Sequence, residues 1–78
     1  MDIYLEKVDP DTNCYRFFSI RIEPDLFAPA ALVTHWGRIG TRGRTRIRGS
    51  GPVAKCESMG EALRSLRLRH GYFETSLS

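Results

Sequence analysis

The chain has 78 residues, 41% of them hydrophobic, and a formal net charge of +3. Such a length makes one domain, residues 1–78, and buries only about 60% of the surface the unfolded chain exposes, so the expected core is one layer of side chains between a sheet and a helix. Little room remains to enclose a substrate pocket, and neither a G-x-S-x-G nor an H-E-x-x-H motif occurs, so the chain is read as a non-enzyme with no cofactor.

The opening "MDIYLEK" carries two acids and no apolar run, unlike a signal peptide. No stretch approaches the roughly 18 apolar residues of a membrane span, which predicts a cytoplasmic protein without a membrane partner. "DIYLEKVD" alternates weakly around Ile3 and Leu5 and stops at the turn formers "DPDTN", which predicts a first strand and a turn. "CYRFFSIRIEP" alternates more clearly, with Phe18, Ile20 and Ile22 on one face and Ser19 and Arg21 on the other, and Pro24 ends this second strand. "DLFAPAA" reads as a loop interrupted by Pro29.

"LVTHWGRIG", "GTRG" and "RTRIR" read as strand, turn and returning strand. If Val33, Ile39 and Ile47 are to share a face, position 39 must lie opposite an odd-numbered residue, which a three-residue loop with Gly43 in the left-handed region achieves. In that register Trp36, Arg38, Arg44, Arg46 and Arg48 share the opposite face, expected to be exposed because charge is costly to bury. His35 falls on the other side as a packed histidine. Gly37 is expected to leave room for a flat surface to approach the Trp36 ring, and neither Trp36 nor Arg38 is expected in the core.

"GSGP" reads as a loop with Pro52 suited to a helix start. From about Val53 to His70, Cys56, Met59, Leu63 and Leu66, joined by Ala62, make one apolar stripe, with Gly71 as C-terminal cap and Arg67 and Arg69 where the helix dipole favours positive charge. The expected fold is therefore α+β: an antiparallel sheet of about four strands with one C-terminal helix covering its apolar face.

Charge follows this order unevenly. Residues 1–25 hold six acids (Asp2, Glu6, Asp9, Asp11, Glu23, Asp25), and residues 26–56 hold none beside Arg38, Arg42, Arg44, Arg46, Arg48 and Lys55. Ten of the twelve bases are arginine, whose planar fork binds phosphate bidentately and stacks on flat rings. Arginines at alternate strand positions repel one another, and an aromatic ring among them is what base or sugar stacking requires, so a nucleic acid is the expected partner. Cys14, His35, Cys56 and His70 match the ligand count of a zinc finger but not its spacing, and no metal site is expected.

With "HWGRIGTRG" flanked by "DPDTN", "RFF", "LF" and "HGYF", residues 4 to 73 resemble the WGR domain, most of all the short bacterial members that consist of that domain alone. The resemblance implies a bent antiparallel sheet with a packed helix, acting as a nucleic-acid-binding module. In the poly(ADP-ribose) polymerases that carry this domain, it recognises DNA strand breaks, with the motif tryptophan on a terminal sugar and the motif arginine nearby. Those roles would fall to Trp36 and Arg38. Arg16 would keep the positive charge of the family's N-K-F-Y segment, while Tyr15 replaces its asparagine. Arg44 stands in place of the usual glutamine and Arg67 in place of the late-helix lysine. The expected binding set is Trp36, Gly37, Arg38, Arg16, Arg42, Arg44, Arg46 and Arg67, with DNA as partner. RNA or single strands, and an acidic surface of a protein partner, are the alternatives. The catalytic region of the polymerases has no counterpart in this sequence.

Overall fold

A computed structural model describes residues 1–75. The elements run β1 (Asp2–Asp9), a 3-10 turn (Pro10–Thr12), β2 (Cys14–Glu23), β3 (Ala30–Arg38), β4 (Arg44–Gly51), α1 (Val53–Arg69) and β5 (Phe73–Thr75). The five strands form one antiparallel sheet in the order β4-β3-β2-β1-β5, and α1 packs on one face of it. This is the expected α+β architecture with one strand more than foreseen. β5 is three residues of "HGYFET", too short to announce itself by alternation. It pairs Glu6 with Phe73 and Tyr4 with Thr75, and the Arg64 guanidinium donates to the Glu74 carboxylate from α1.

The β2 alternation decides where the core sits. Phe18 and Ile20 pair with Leu5 and Ile3 of β1, and on the other side with Trp36 and Thr34 of β3. This face carries the buried cluster of Leu5, Phe18, Ile20, Ala30 and Leu32, closed from above by Cys56 of α1, with Ile22, Trp36, Met59, Leu63 and Tyr72 around it. At about 1.5–3 kcal/mol per fully buried large apolar side chain, these few residues carry most of the stability available to so small a fold.

Three expectations need correcting here. First, the helix stripe runs through Cys56, Met59, Gly60 and Leu63, whereas Leu66 and Ala62 are exposed. Gly60 is buried because α1 lies so close to the sheet that a Cβ there would reach 3.4 Å from Leu32 and 3.5 Å from Ile20. Second, "GSG" is strand: Gly49, Ser50 and Gly51 pair with Leu32, Ala31 and Ala30, after a bulge that gives Arg48 no partner of its own in the ladder.

Third, the connection from β3 to β4 is longer than three residues. The β3–β4 ladder ends at Trp36↔Arg44, β3 runs on to Arg38 against β2, and residues 39–43 connect the two strands. Even positions still face even ones, so the parity that groups the arginines holds, and Gly43 is in the left-handed region as expected (φ 69°). The loop folds back over the face away from α1. A Cβ on Gly37 would meet the Gly43 Cα at 2.6 Å, the Phe17 ring lies against both glycines, and His35 Nε2–H donates to the Arg42 carbonyl. Gly37 therefore gives its free space to Gly43, not to a surface approaching Trp36.

Candidate nucleic-acid interface

The face that carries the core is also the face of the arginine row. Trp36 pairs with Phe18 and Arg44, Thr34 with Arg46, and Arg16 with Arg38, so all of these side chains project to the side on which α1 lies. Val33 and Ile47, expected to turn inward, share the opposite face, and Ile47 is 65% exposed. Strand periodicity specifies which residues share a face, and the partners of β2 specify which face is covered. The helix covers this face from Ile20 and Leu32 to Phe18, over which it lays Arg67, and leaves the strand ends beyond Trp36 to the cations. Arg16, Arg38, Arg44, Arg46 and Arg48 are exposed. Trp36 is partly buried at the boundary, with one side against the core cluster, a correction to its expected place outside the core.

Several contacts set the geometry of this boundary. The Arg48 guanidinium lies 5.2 Å from the Trp36 ring centre, and its Nε donates to the Thr34 hydroxyl at 2.8 Å. Thr34 is fully buried, and its hydroxyl also donates to the Arg46 carbonyl at 3.4 Å, so this polar group inside the core is satisfied. The Arg48 pKa is lowered by burial, with the neighbouring charges of Arg46 and Arg67 adding to the effect. Arg67 comes from the last turns of α1, and its guanidinium lies 4.1 Å from the Phe18 ring centre and 5.7 Å from that of Tyr72. Its Nε is buried and has no acceptor among the described residues. A guanidinium held over aromatic rings in this way keeps its charge while losing part of its hydration.

Arg38, the motif arginine, reaches Asn13 at the end of the β1–β2 connection, with Nη2 at 3.2 Å from the side-chain oxygen and Nη1 at 3.4 Å from the carbonyl. It also lies 5.2 Å from the Tyr15 ring centre. Tyr15 thus supports the arginine with its ring. Trp36, Arg16, Arg38, Arg67, Asn13 and Tyr72 line a groove of about 590 Å³ at this end of the sheet.

Among the described residues no carboxylate forms a salt bridge with Arg16, Arg38, Arg42, Arg44, Arg46, Arg48 or Arg67. Asp9, at the end of β1, and Asp11, in the 3-10 turn, stand at the same end and form no salt bridge with these arginines.

Of the eight residues expected to bind, six share this face: Trp36, Arg16, Arg38, Arg44, Arg46 and Arg67. Gly37 lines the groove with its backbone while the side a Cβ would occupy backs onto Gly43, and Arg42 does not join them, because its backbone is tied to His35 on the other face. Arg48, counted in the row but not in the binding set, proves to be the cation nearest the indole. Lys7 and Tyr72 were missed; they meet at this end, with Nζ 6.0 Å from the ring centre. The pairing of Lys7 with Arg16 is visible only once the β1–β2 register is known.

Comparison with known families matches residues 1–77 to the WGR domain. The chain belongs to the WGR domain family. In proteins of the poly(ADP-ribose) polymerase type the WGR domain is a nucleic-acid-binding module and not the catalytic part. The chain is also similar to the uncharacterized protein y4dW of Sinorhizobium fredii (strain NBRC 101917 / NGR234), 42% identical over 45 residues, which cover 58% of this chain and 22% of that protein. The matched stretch is thus under a quarter of the relative's length. No helix among the described residues is long and apolar enough to cross a membrane.

The place of Arg48 in this WGR domain gives a direct test. On the reading proposed below, in which Arg48 meets a phosphate, Arg48→Ala is expected to weaken nucleic-acid binding and to make its salt dependence shallower by about 0.9 in log–log slope. Fluorescence anisotropy of a labelled duplex at a series of salt concentrations measures both.

Proposed function

We propose that this WGR domain binds duplex DNA without catalysis, using the Trp36 groove and the cations around it. One observation carries this reading: a cluster of guanidinium groups free of carboxylate partners, gathered on one face around a partly exposed indole. Like charges at alternate strand positions destabilise a sheet, and phosphate oxygens are the counterions that fit arginine's fork. Neutralising phosphates supplies affinity that is indifferent to sequence.

Trp36 supplies selectivity for ends. An internal base pair hides its sugar and stacking face behind its neighbour, whereas a terminus leaves them open to the ring. Trp36 is the only tryptophan, so its fluorescence reports on this contact alone. Titration with a blunt duplex is expected to bind tighter and quench more than titration with a closed circle of the same sequence. Equal affinity and equal quenching would remove end recognition while leaving DNA binding in place. Competition by single strands or structured RNA stronger than by duplex would reassign the ligand.

A further inference from the structure

The loop between β2 and β3 presents the most exposed apolar side chains among the described residues: Leu26 is 91% and Phe27 95% exposed. The two lie side by side between Pro24 and Pro29, so they are displayed on a stiffened segment. Adjacent large apolar side chains left fully in water mark a contact surface. Acids accompany them. Asp2, Glu23, Asp25 and Glu57 stand at this end of the sheet against Arg21 and Lys55, and Arg21 is already paired with Glu23.

We propose that the Leu26–Phe27 loop of one copy seats in the Trp36 groove of a second copy, so that molecules associate head to tail. Charge decides among the available contacts. Two such loops packed on each other would bring Asp25 against Asp25. Two β4 edges paired together would bring the arginine rows into apposition. The groove on the other face, lined by Tyr4, Phe17 and His35, holds Asp2 and Glu74 beside a single arginine, Arg21, which is already paired with Glu23, so it offers the acidic loop no free guanidinium. The Trp36 groove joins apolar rings, Trp36 and Tyr72, to unpaired cations, Arg16, Arg38 and Arg67, and so fits both the side chains and the charge of the loop.

Loop and groove cannot meet within one molecule. β3 connects them, and at about 3.3 Å per residue the run from Ala30 to Trp36 alone separates them by about 20 Å. Two different patches at opposite ends give a heterologous contact, which extends as an open chain instead of closing as a pair. The contact is small, hence weak and sensitive to salt. It does not depend on the nucleic-acid reading, and where both ligands are present they compete for one groove.

Sedimentation velocity without nucleic acid tests this, at low salt and over about 10 μM to about 1 mM protein, a range suited to a contact below standard interface size. The expected result for the unaltered chain is a mass that rises with concentration past the dimer. Phe27→Asp and the exposed pair Arg16→Glu with Arg38→Glu are each expected to remain monomeric. Mixed together, these two variants are expected to form 1:1 dimers, because one keeps an intact groove and the other an intact loop. A monomer at every concentration overturns the proposal. So does a dimer that stops growing and persists in the Arg16→Glu, Arg38→Glu variant, since that describes a symmetric contact.

Discussion

Trp36→Ala is expected to reduce stability and affinity together, by separate mechanisms. The ring packs against Phe18 at the edge of the core, so its removal leaves a partial cavity. Full truncation of a buried tryptophan costs about 3–5 kcal/mol, and a partly buried one costs less, about 2–3 kcal/mol. Arg48 simultaneously loses the ring beneath its guanidinium. On the binding side, a stacked base or sugar contributes about 1–3 kcal/mol, or roughly 5- to 150-fold in affinity. Chemical denaturation gives the first effect, and duplex titration at a temperature where both proteins are folded gives the second. Trp36→Phe restores part of the packing and part of the stacking. Loss of stability with unchanged affinity for duplex ends would make Trp36 a packing residue only.

Gly43→Ala is expected to destabilise the fold by about 2–4 kcal/mol, combining positive-φ strain with overpacking. The added Cβ would stand 2.2 Å from the Trp36 carbonyl oxygen and 2.8 Å from the Phe17 ring, and backbone does not yield as the end of a flexible side chain does. Gly40→Ala is the control. Its φ is also positive, at 89°, but nothing lies within 4 Å of the added carbon, so the cost should be the strain alone, about 1 kcal/mol. Thermal or denaturant unfolding of the two variants separates them. Equal stabilities would mean that the connection 39–43 does not fold back onto the end of β3 as described. Because Gly43 touches the Trp36 backbone, its replacement is also expected to displace the indole and weaken binding.

The contrast between these positions shows what the sequence could and could not disclose. Period-two alternation in β2 was enough to place Phe18 and Ile20 on one face, and the parity argument at Ile39 and Ile47 grouped Trp36 with its arginines. Periodicity does not say which face a helix will cover, and the pairing of Phe18 with Trp36 reversed the assumed side. The helix stripe failed at Leu66 for a related reason. Close approach of α1 to the sheet selects Gly60, whose contribution is the side chain it lacks. Arg67 was legible as a cation near a helix end, but not as one laid across Phe18. The exposed Leu26–Phe27 pair had no distinguishing signal beyond its prolines, since apolar residues in a loop can equally be packed underneath it. The bulge that frees Arg48 is a register event between β3 and β4 and has no local sequence mark.

The central claim is that the free guanidinium groups around Trp36 are held for phosphate. Duplex affinity measured against salt concentration tests it most directly. With about four to six phosphates contacted at −0.9 each, the log–log slope is expected to fall between roughly −3.6 and −5.4. A slope near −1 or flatter would contradict the account, because it would mean that the arginine face meets its ligand through no more than one charge.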